Sequence, residues 1–115
     1  MLQKYIEILT RDEAIFHKKP DGTEVNYFLF PEFEIHINSL PGKTVQGWHK
    51  HHEIEEVLLV QSGKVKIEEV ENQQIVSRIC AEGELIRMHN SLHRISNPDT
   101  LSASFTVFRF VPQGQ

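Results

Sequence analysis

Cysteine is almost absent from this sequence, and its scarcity limits the chemistry that the chain can carry. Cys80 is the single cysteine among 115 residues, so one chain can form neither an internal disulfide nor a thiolate zinc site. We therefore expect a reducing, cytoplasmic setting. Any metal ion that the chain binds alone must be held by imidazole and carboxylate groups.

Long apolar runs and an excess of basic residues are missing as well. No run approaches the ~20 apolar residues that cross a bilayer, and no apolar segment follows a basic flank as in a signal peptide. Twelve Lys and Arg residues stand against 16 Asp and Glu residues, a formal net charge of −4. We therefore expect neither a nucleic-acid partner nor a membrane partner. The length predicts one domain, residues 1–115.

Helical periodicity is scarce, while turn residues recur at short intervals. Gly, Pro, Asn and Asp separate segments that alternate apolar and polar residues, which is typical of strands with one buried face. Thr10 and Glu13 have the spacing of a capping box, so a short helical turn and a strand from Glu13 both remain open. The chain is predicted to be all-β, with strands over residues 25–30, 33–38, 65–68, 75–79 and 101–111.

Histidine, in contrast, is abundant. The chain has seven, and five of them lie in two short groups, at residues 49–52 and 89–93. Side chains two apart on a strand point to the same face, so His49 and His51 can bind one metal ion together. Glu55 or Glu56 can add a carboxylate ligand. Glu56 is in phase with the apolar residues of its own strand, and an inward carboxylate needs a partner such as a metal. His93 shares a face with Ile95 and can supply a further ligand.

These two groups lie in segments that resemble the two sequence motifs of the cupin superfamily. Residues 42–63 are similar to the first motif at Gly42, His49, His51, Glu56 and Gly63. Residues 83–97 are similar to the second motif at Gly83, His93 and Asn97. The motifs follow each other in the order that the family shows.

The resemblance implies a fold and a cofactor. The fold is a double-stranded β-helix of two antiparallel sheets, an RmlC-like jelly roll. The cofactor is one divalent metal ion inside the barrel, with Fe, Mn, Zn, Ni and Cu all in use among cupins. Its ligands would be His49, His51, Glu56 and His93. One or two coordination positions would remain for water or substrate, as Lewis-acid catalysis requires.

Three functions remain open from the sequence. The first is a metal-dependent enzyme of isomerase or epimerase type that acts on a sugar or small polar metabolite, since residues 45–51 followed by Glu56 are similar to sugar-nucleotide cupins. The second is an iron-dependent dioxygenase, and the third is a non-enzymatic module that binds or senses a small ligand. We also expect a homodimer, because small barrels with apolar terminal strands often pair.

Two further histidines are candidates for catalysis. His89 lies in the turn before His93 and is the best spare general acid or base, although a turn histidine also suits the surface. His52 has three roles open: a group that supports a metal ligand, an alternative ligand, or a residue facing solvent.

Other polar side chains are expected outside the site. His36 alternates with two isoleucines and is expected to face opposite them, and it could line the mouth of the barrel as an acid or base. Tyr27 is expected in the core. Arg87 and Arg109 could bind an anionic substrate if they point inward, and the default expectation for both is a solvated strand face. Glu68 begins an acidic run that is expected in a solvated hairpin.

Overall fold

The computed structural model describes residues 5–50, 53–89 and 91–111, and its regular structure is almost entirely β. A 3₁₀-helical turn at Arg11–Glu13 precedes the first strand. The strands are β1 (Ile15–Lys18), β2 (Glu24–Leu29), β3 (Glu34–Leu40), β4 (Glu55–Ser62), β5 (Lys64–Glu71), β6 (Gln74–Ala81), β7 (Leu85–Met88), β8 (His93–Ser96) and β9 (Ala103–Phe110).

The strands form two antiparallel sheets, as the sequence predicts. The larger sheet has the order β1-β2-β3-β9-β4-β7, and the smaller has the order β6-β5-β8. Beyond β8, the segment before β4 continues the smaller sheet through single bridges from Val45 to Ser96 and from His49 to His93. These nine strands and the two bridges give the jelly-roll fold class that was predicted.

The inner face of the larger sheet changes from apolar to polar along the strands. Side chains in phase on neighbouring strands form rows across a sheet, because the pleat repeats every two residues. One row is apolar apart from an asparagine: Val25, Asn38, Phe105 and Val60. The next row has an aromatic and a histidine: Tyr27, His36, Val107 and Leu58. The last row is mainly charged: Glu34, Arg109, Glu56 and Met88.

The hydrophobic core therefore lies mainly toward the apolar end of the barrel, and Met88 extends it into the charged row. It is formed by Leu40, Leu58, Val60, Val65, Cys80, Met88, Ile95, Ala103, Phe105 and Val107. Burial also raises the pKa of the Cys80 thiol, in keeping with an inert core cysteine. The polar rows leave the other end of the barrel available for a functional site.

The connection from β3 toward β4 is anchored against the β8–β9 loop. The Asn97 side-chain amide donates hydrogen bonds to the carbonyl oxygens of Leu40, Pro41 and Leu101. A Cβ at Gly42 would lie 2.1 Å from the carbonyl oxygen of Thr100, so only glycine fits this close approach. This contact fixes the start of the segment that carries His49.

Of two local expectations, the capping box near the start of the chain is confirmed and the exposure of Glu68 is not. Thr10 and Glu13 do form a capping box, with the Thr10 amide donating to the Glu13 carboxylate at 3.3 Å, and a strand follows at Ile15. The expectation of a solvated Glu68 was wrong. Glu68 is buried and accepts a 2.7 Å hydrogen bond from Arg94 on β8, which lowers the pKa of the carboxyl.

Within the described residues, no helix has the length and apolar character that crossing a membrane requires.

Candidate metal centre

Two of the predicted ligands, His49 and His93, are held opposite each other by the backbone. The amide of each residue donates to the carbonyl oxygen of the other, at 2.9 and 3.0 Å. Residues that exchange both hydrogen bonds project their side chains to the same side of a sheet. The two imidazole rings accordingly meet edge to face, with centroids 4.4 Å apart.

Each ring is oriented by a carbonyl oxygen two residues earlier in the chain. Nδ1 of His49 lies 3.1 Å from the oxygen of Gly47, and Nδ1 of His93 lies 2.9 Å from the oxygen of Ser91. A carbonyl only accepts, so in both bonds Nδ1 carries the proton and donates. The lone pair of each neutral ring is then on Nε2, the form in which histidine binds a metal.

Glu56 enters the same space from β4. Its side chain is buried, and Oε1 lies 4.0 Å from Nε2 of His93. The other oxygen, Oε2, accepts two hydrogen bonds from Arg109, at 3.0 Å from Nε and 2.8 Å from Nη2. Arg109 therefore points inward, and the expectation that it lies on a solvated strand face was wrong.

These three side chains fit a metal ion. One ligand atom from each of His49, Glu56 and His93 lies within 4.8 Å of the others. Atoms that share an ion at ~2.1 Å lie up to ~4.2 Å apart, so small side-chain adjustments bring the set to bonding distance. Two imidazole nitrogens and a carboxylate oxygen suit Zn, Fe, Mn and Ni. His51, the predicted fourth ligand, lies outside the described residues.

His36 and Tyr27 also face the barrel interior, so of the two positions that the sequence left open for His36 the structure shows the inward one. His36 is buried, and its Nε2 lies 2.8 Å from Oε1 of Glu34. The Tyr27 ring packs edge to face on the His36 ring at 4.6 Å. Burial lowers the pKa of His36 despite the Glu34 contact, so the ring is neutral near pH 7. The sequence signal that favours this direction is Leu40, a buried apolar residue in phase with His36.

A small cavity joins these groups. It has a volume of about 60 Å³. His49 and Glu56 line it together with His36 and Tyr27, and Arg109 and the half-buried Lys19 complete its polar side. A buried histidine, two cations and two of the candidate metal ligands therefore line one cavity.

Of the two predicted catalytic histidines, His89 is described by the structure and His52 is not. His89 is exposed, and its Nδ1 lies 3.5 Å from Oε1 of Glu55. Glu55 alternates with Glu56 on β4 and so points to the opposite face of the strand. Arg87 contacts the same Glu55 carboxylate at 3.1 Å and is exposed, as expected. His52 lies outside the described residues.

The chain resembles known proteins in structure. No family model and no curated protein matches the sequence. HppE, solved in its Fe(II) form, is 14% identical over 93% of this chain and 61% of its own, with a TM-score of 0.80. This chain thus spans about three-fifths of HppE.

Two further similar structures match more of their own length. A predicted oxalate decarboxylase from Thermotoga maritima is 15% identical, with 92% of this chain and 100% of that chain covered and a TM-score of 0.77. The cupin domain of Drosophila melanogaster CENP-C is 18% identical, with 89% and 79% covered and a TM-score of 0.74. CENP-C has also been solved bound to CAL1.

Proposed function

The chain has the cupin fold, and we propose that it is a metal-dependent enzyme that acts on a small molecule in the barrel cavity. One divalent ion would be held by His49, Glu56 and His93, with His51 as the fourth ligand. His89 and His52 are kept as candidate acid–base residues outside this set. The observation that carries the proposal is that His49, Glu56 and His93 each bring one ligand atom to within 4.8 Å of the other two.

The ligand set is preorganised by its surroundings. Backbone carbonyls fix both imidazole rings, and Arg109 fixes one carboxylate oxygen. Such supporting contacts raise metal affinity, because the ligands need not be reoriented on binding. When bound, the ion would act as a Lewis acid toward a carbonyl or hydroxyl group of the substrate.

The first test is metal content. We expect protein purified without a histidine tag, and then loaded with Zn²⁺, Mn²⁺, Fe²⁺ or Ni²⁺, to retain about one equivalent. A metal present at a hundred times its Kd should stabilise the fold by about 2.7 kcal/mol and raise the melting temperature. His93→Gln should lose both effects, and His51→Ala tests the fourth ligand.

The matched control is His17→Gln, a change at an exposed histidine on β1, which should leave metal content and the melting shift unchanged. Retention below about a tenth of an equivalent, together with unchanged melting, would refute the proposed metal site. Full occupancy in a folded His93→Gln, Glu56→Gln double variant would refute the ligand assignment.

Isomerase- or epimerase-like chemistry on a small polar metabolite is the reaction class that the cavity favours. Such reactions move a proton at a carbon or hydroxyl group, and a positioned neutral histidine is suited to accept it. His36 is neutral, buried and oriented by Glu34, and the Tyr27 ring packs against it in the same cavity. The proposed substrate class includes sugars as well as other small polar metabolites.

An iron-dependent dioxygenase is the second candidate, because HppE, similar in fold, was solved with Fe(II). Oxygen uptake by the iron-loaded protein separates the two reactions. A module that binds a ligand or a protein without catalysis is the third, since CENP-C was solved bound to CAL1. Metal retention without turnover of any offered substrate would favour it.

We also propose that two copies of the chain form a homodimer, through the outer face of the larger sheet. One row on that face is apolar over four adjoining strands: Phe28, Ile35, Phe108 and Val57. Phe108 contacts Phe33 and Phe110 at ring distances of 5.3 and 5.2 Å, which extends the apolar surface. A cytoplasmic location and the absence of nucleic-acid and membrane partners remain predictions.

A further inference from the structure

The segment that carries His49 contains one residue more than a regular strand pairing needs. At its start, Val45 pairs with Ser96 on β8. Regular antiparallel pairing advances by one residue on each strand, so it would bring Trp48 opposite His93. His49 stands there instead, and it exchanges both backbone hydrogen bonds with His93. The segment therefore has a one-residue β-bulge between Val45 and His49.

The two pairings differ in which side chain points at the metal position. Paired residues project to the same side of a sheet, and adjacent residues project to opposite sides. In the bulged pairing His49 points inward together with His93, and Trp48 points outward. In the regular pairing Trp48 would point inward and His49 outward, so the site would lose a ligand. Either pairing gives His93 two backbone hydrogen bonds, so these bonds alone do not select one of them.

The pairing at the start of the segment is fixed by other contacts. The Gln46 amide donates to the Ile95 carbonyl oxygen at 3.0 Å, and the Gln46 side chain donates to the Thr23 hydroxyl oxygen at 3.1 Å. Gly47 comes next, and a Cβ there would meet no atom within 4 Å. Packing around Gly47 therefore does not hold the bulge, and the choice between the pairings depends on the contacts of Trp48.

Arg94 holds Trp48 on the outer face of the smaller sheet. Its Cζ lies 4.7 Å from the centroid of the Trp48 ring, a distance at which a guanidinium is attracted to the face of an indole. Glu68, which is buried on β5, accepts hydrogen bonds from Nε of Arg94 at 2.7 Å and from Nη2 at 3.4 Å. Two such bonds fix the plane of the guanidinium. The ring contact thus exists only when Trp48 points outward.

We propose that Arg94 is a positioning residue that selects the bulged pairing and so directs His49 to the metal position. It acts through Trp48. A metal ion held by His49 and His93 favours the same pairing, so metal binding and the outward position of Trp48 stabilise each other. This inference rests on the proposed metal site and names what keeps one of its ligands inward.

The first test separates the contact from the bulge. Arg94→Met should weaken the Zn²⁺ affinity, measured by chelator competition, about tenfold. Deletion of Gly47 removes the extra residue, so regular pairing then directs His49 inward. In that background Arg94→Met should change the affinity by less than about twofold. The control is Arg78→Met, which loses a 2.8 Å contact with Glu84 outside this segment and should leave the affinity unchanged.

The second test uses fluorescence, since Trp48 is the single tryptophan of the chain. Without metal, Arg94→Met should emit at a different wavelength from the wild type, because the ring enters the barrel in part of the molecules. Zn²⁺ should restore the wild-type wavelength, because the ion requires His49 inward. This measurement needs no deletion, so it decides the matter even where the protein without Gly47 does not fold.

Failure of this inference differs from failure of the metal site. Wild-type protein that retains no metal refutes the proposed function. The positioning role alone is refuted where the wild type retains one equivalent of Zn²⁺ and Arg94→Met has the same affinity, or the same emission without metal. An affinity loss that persists undiminished in a folded protein without Gly47 also refutes it.

Discussion

At the scale of single residues, the two oxygens of the Glu56 carboxylate have different neighbours: Arg109 binds one, and His93 lies near the other. Both donated hydrogen bonds go to Oε2, and Oε1 is the oxygen that lies near His93. The guanidinium and an ion at the histidines therefore do not compete for one atom. In the proposed metal site Arg109 would act as a positioning residue, because its contacts with Oε2 fix the direction in which Oε1 is presented.

Replacement of Arg109 should therefore weaken metal binding. We expect Arg109→Met to reduce the affinity for Zn²⁺ about ten- to a hundredfold, the usual cost of losing a group that orients a metal ligand. Arg109→Lys keeps the charge without the two-point contact, and its affinity should be intermediate. The affinities are measured by chelator competition well below the melting temperature of each variant.

Arg87→Met is the matched control. Arg87 makes the same kind of contact with Glu55, the neighbour of Glu56 that points to the opposite face of β4. Zn²⁺ affinity should stay within about twofold of the wild type in this variant. The absorption spectrum of bound Co²⁺ should change in Arg109→Met and not in Arg87→Met. Identical spectra in the two variants would contradict the positioning role.

The sequence predicted some residues of the site for sound reasons and missed others. Glu56 and His93 are inward because each is in phase with apolar neighbours, a pattern that is visible in the sequence. Arg109 is also in phase with a buried face, but a charge at the end of a strand usually turns to solvent. Its inward position depends on Glu34 and Glu56, which approach from neighbouring strands and are distant in the sequence.

At the scale of elements, the contact between the β3–β4 connection and the β8–β9 loop determines where His49 lies. Gly42→Ala should destabilise the fold by at least about 2 kcal/mol, because a side chain there overlaps the backbone of Thr100. Urea unfolding measures the change.

Gly47→Ala serves as the control, since a Cβ at Gly47 meets no atom within 4 Å. It should change the free energy of unfolding by less than about 0.5 kcal/mol. Equal losses in the two variants would show that glycine at position 42 is needed for some reason other than this contact.

Alternation along the chain predicted β2, β3, β5, β6 and β9, but it could not always tell which face is inner. For β9 the apolar face is the inner one, with Ala103 and Phe105 buried. For β3 the inner face carries His36 and Asn38, while Ile35 and Ile37 lie on the half-buried outer face. The two strands alternate with the same two-residue period. The period alone therefore does not show whether the apolar or the polar face points into the barrel.

At the scale of the whole molecule, the apolar outer face of the larger sheet should determine the oligomeric state. Stable dimers bury about 800 Å² on each partner, so the row through Phe108 must be joined by neighbouring exposed residues such as Leu59 and Phe16. We expect sedimentation equilibrium at micromolar concentrations to give a dimer, and Phe108→Lys to give a folded monomer.

Ile75→Lys provides the comparison for this experiment. Ile75 is also an exposed apolar residue, but it lies on β6 in the smaller sheet, and its replacement should leave the dimer intact. A monomeric wild type, or a Phe108→Lys variant that remains dimeric while Ile75→Lys dissociates, would show that this face is not the interface.

The carbonyl contacts that orient His49 and His93 also bear on how the site can evolve. Each ring is oriented by the oxygen of the residue two positions earlier, Gly47 or Ser91, and every amino acid carries such an oxygen. Mutation of those side chains therefore leaves the orientation unchanged as long as the backbone path persists. The residues at these two positions can therefore change during evolution while both rings keep their orientation.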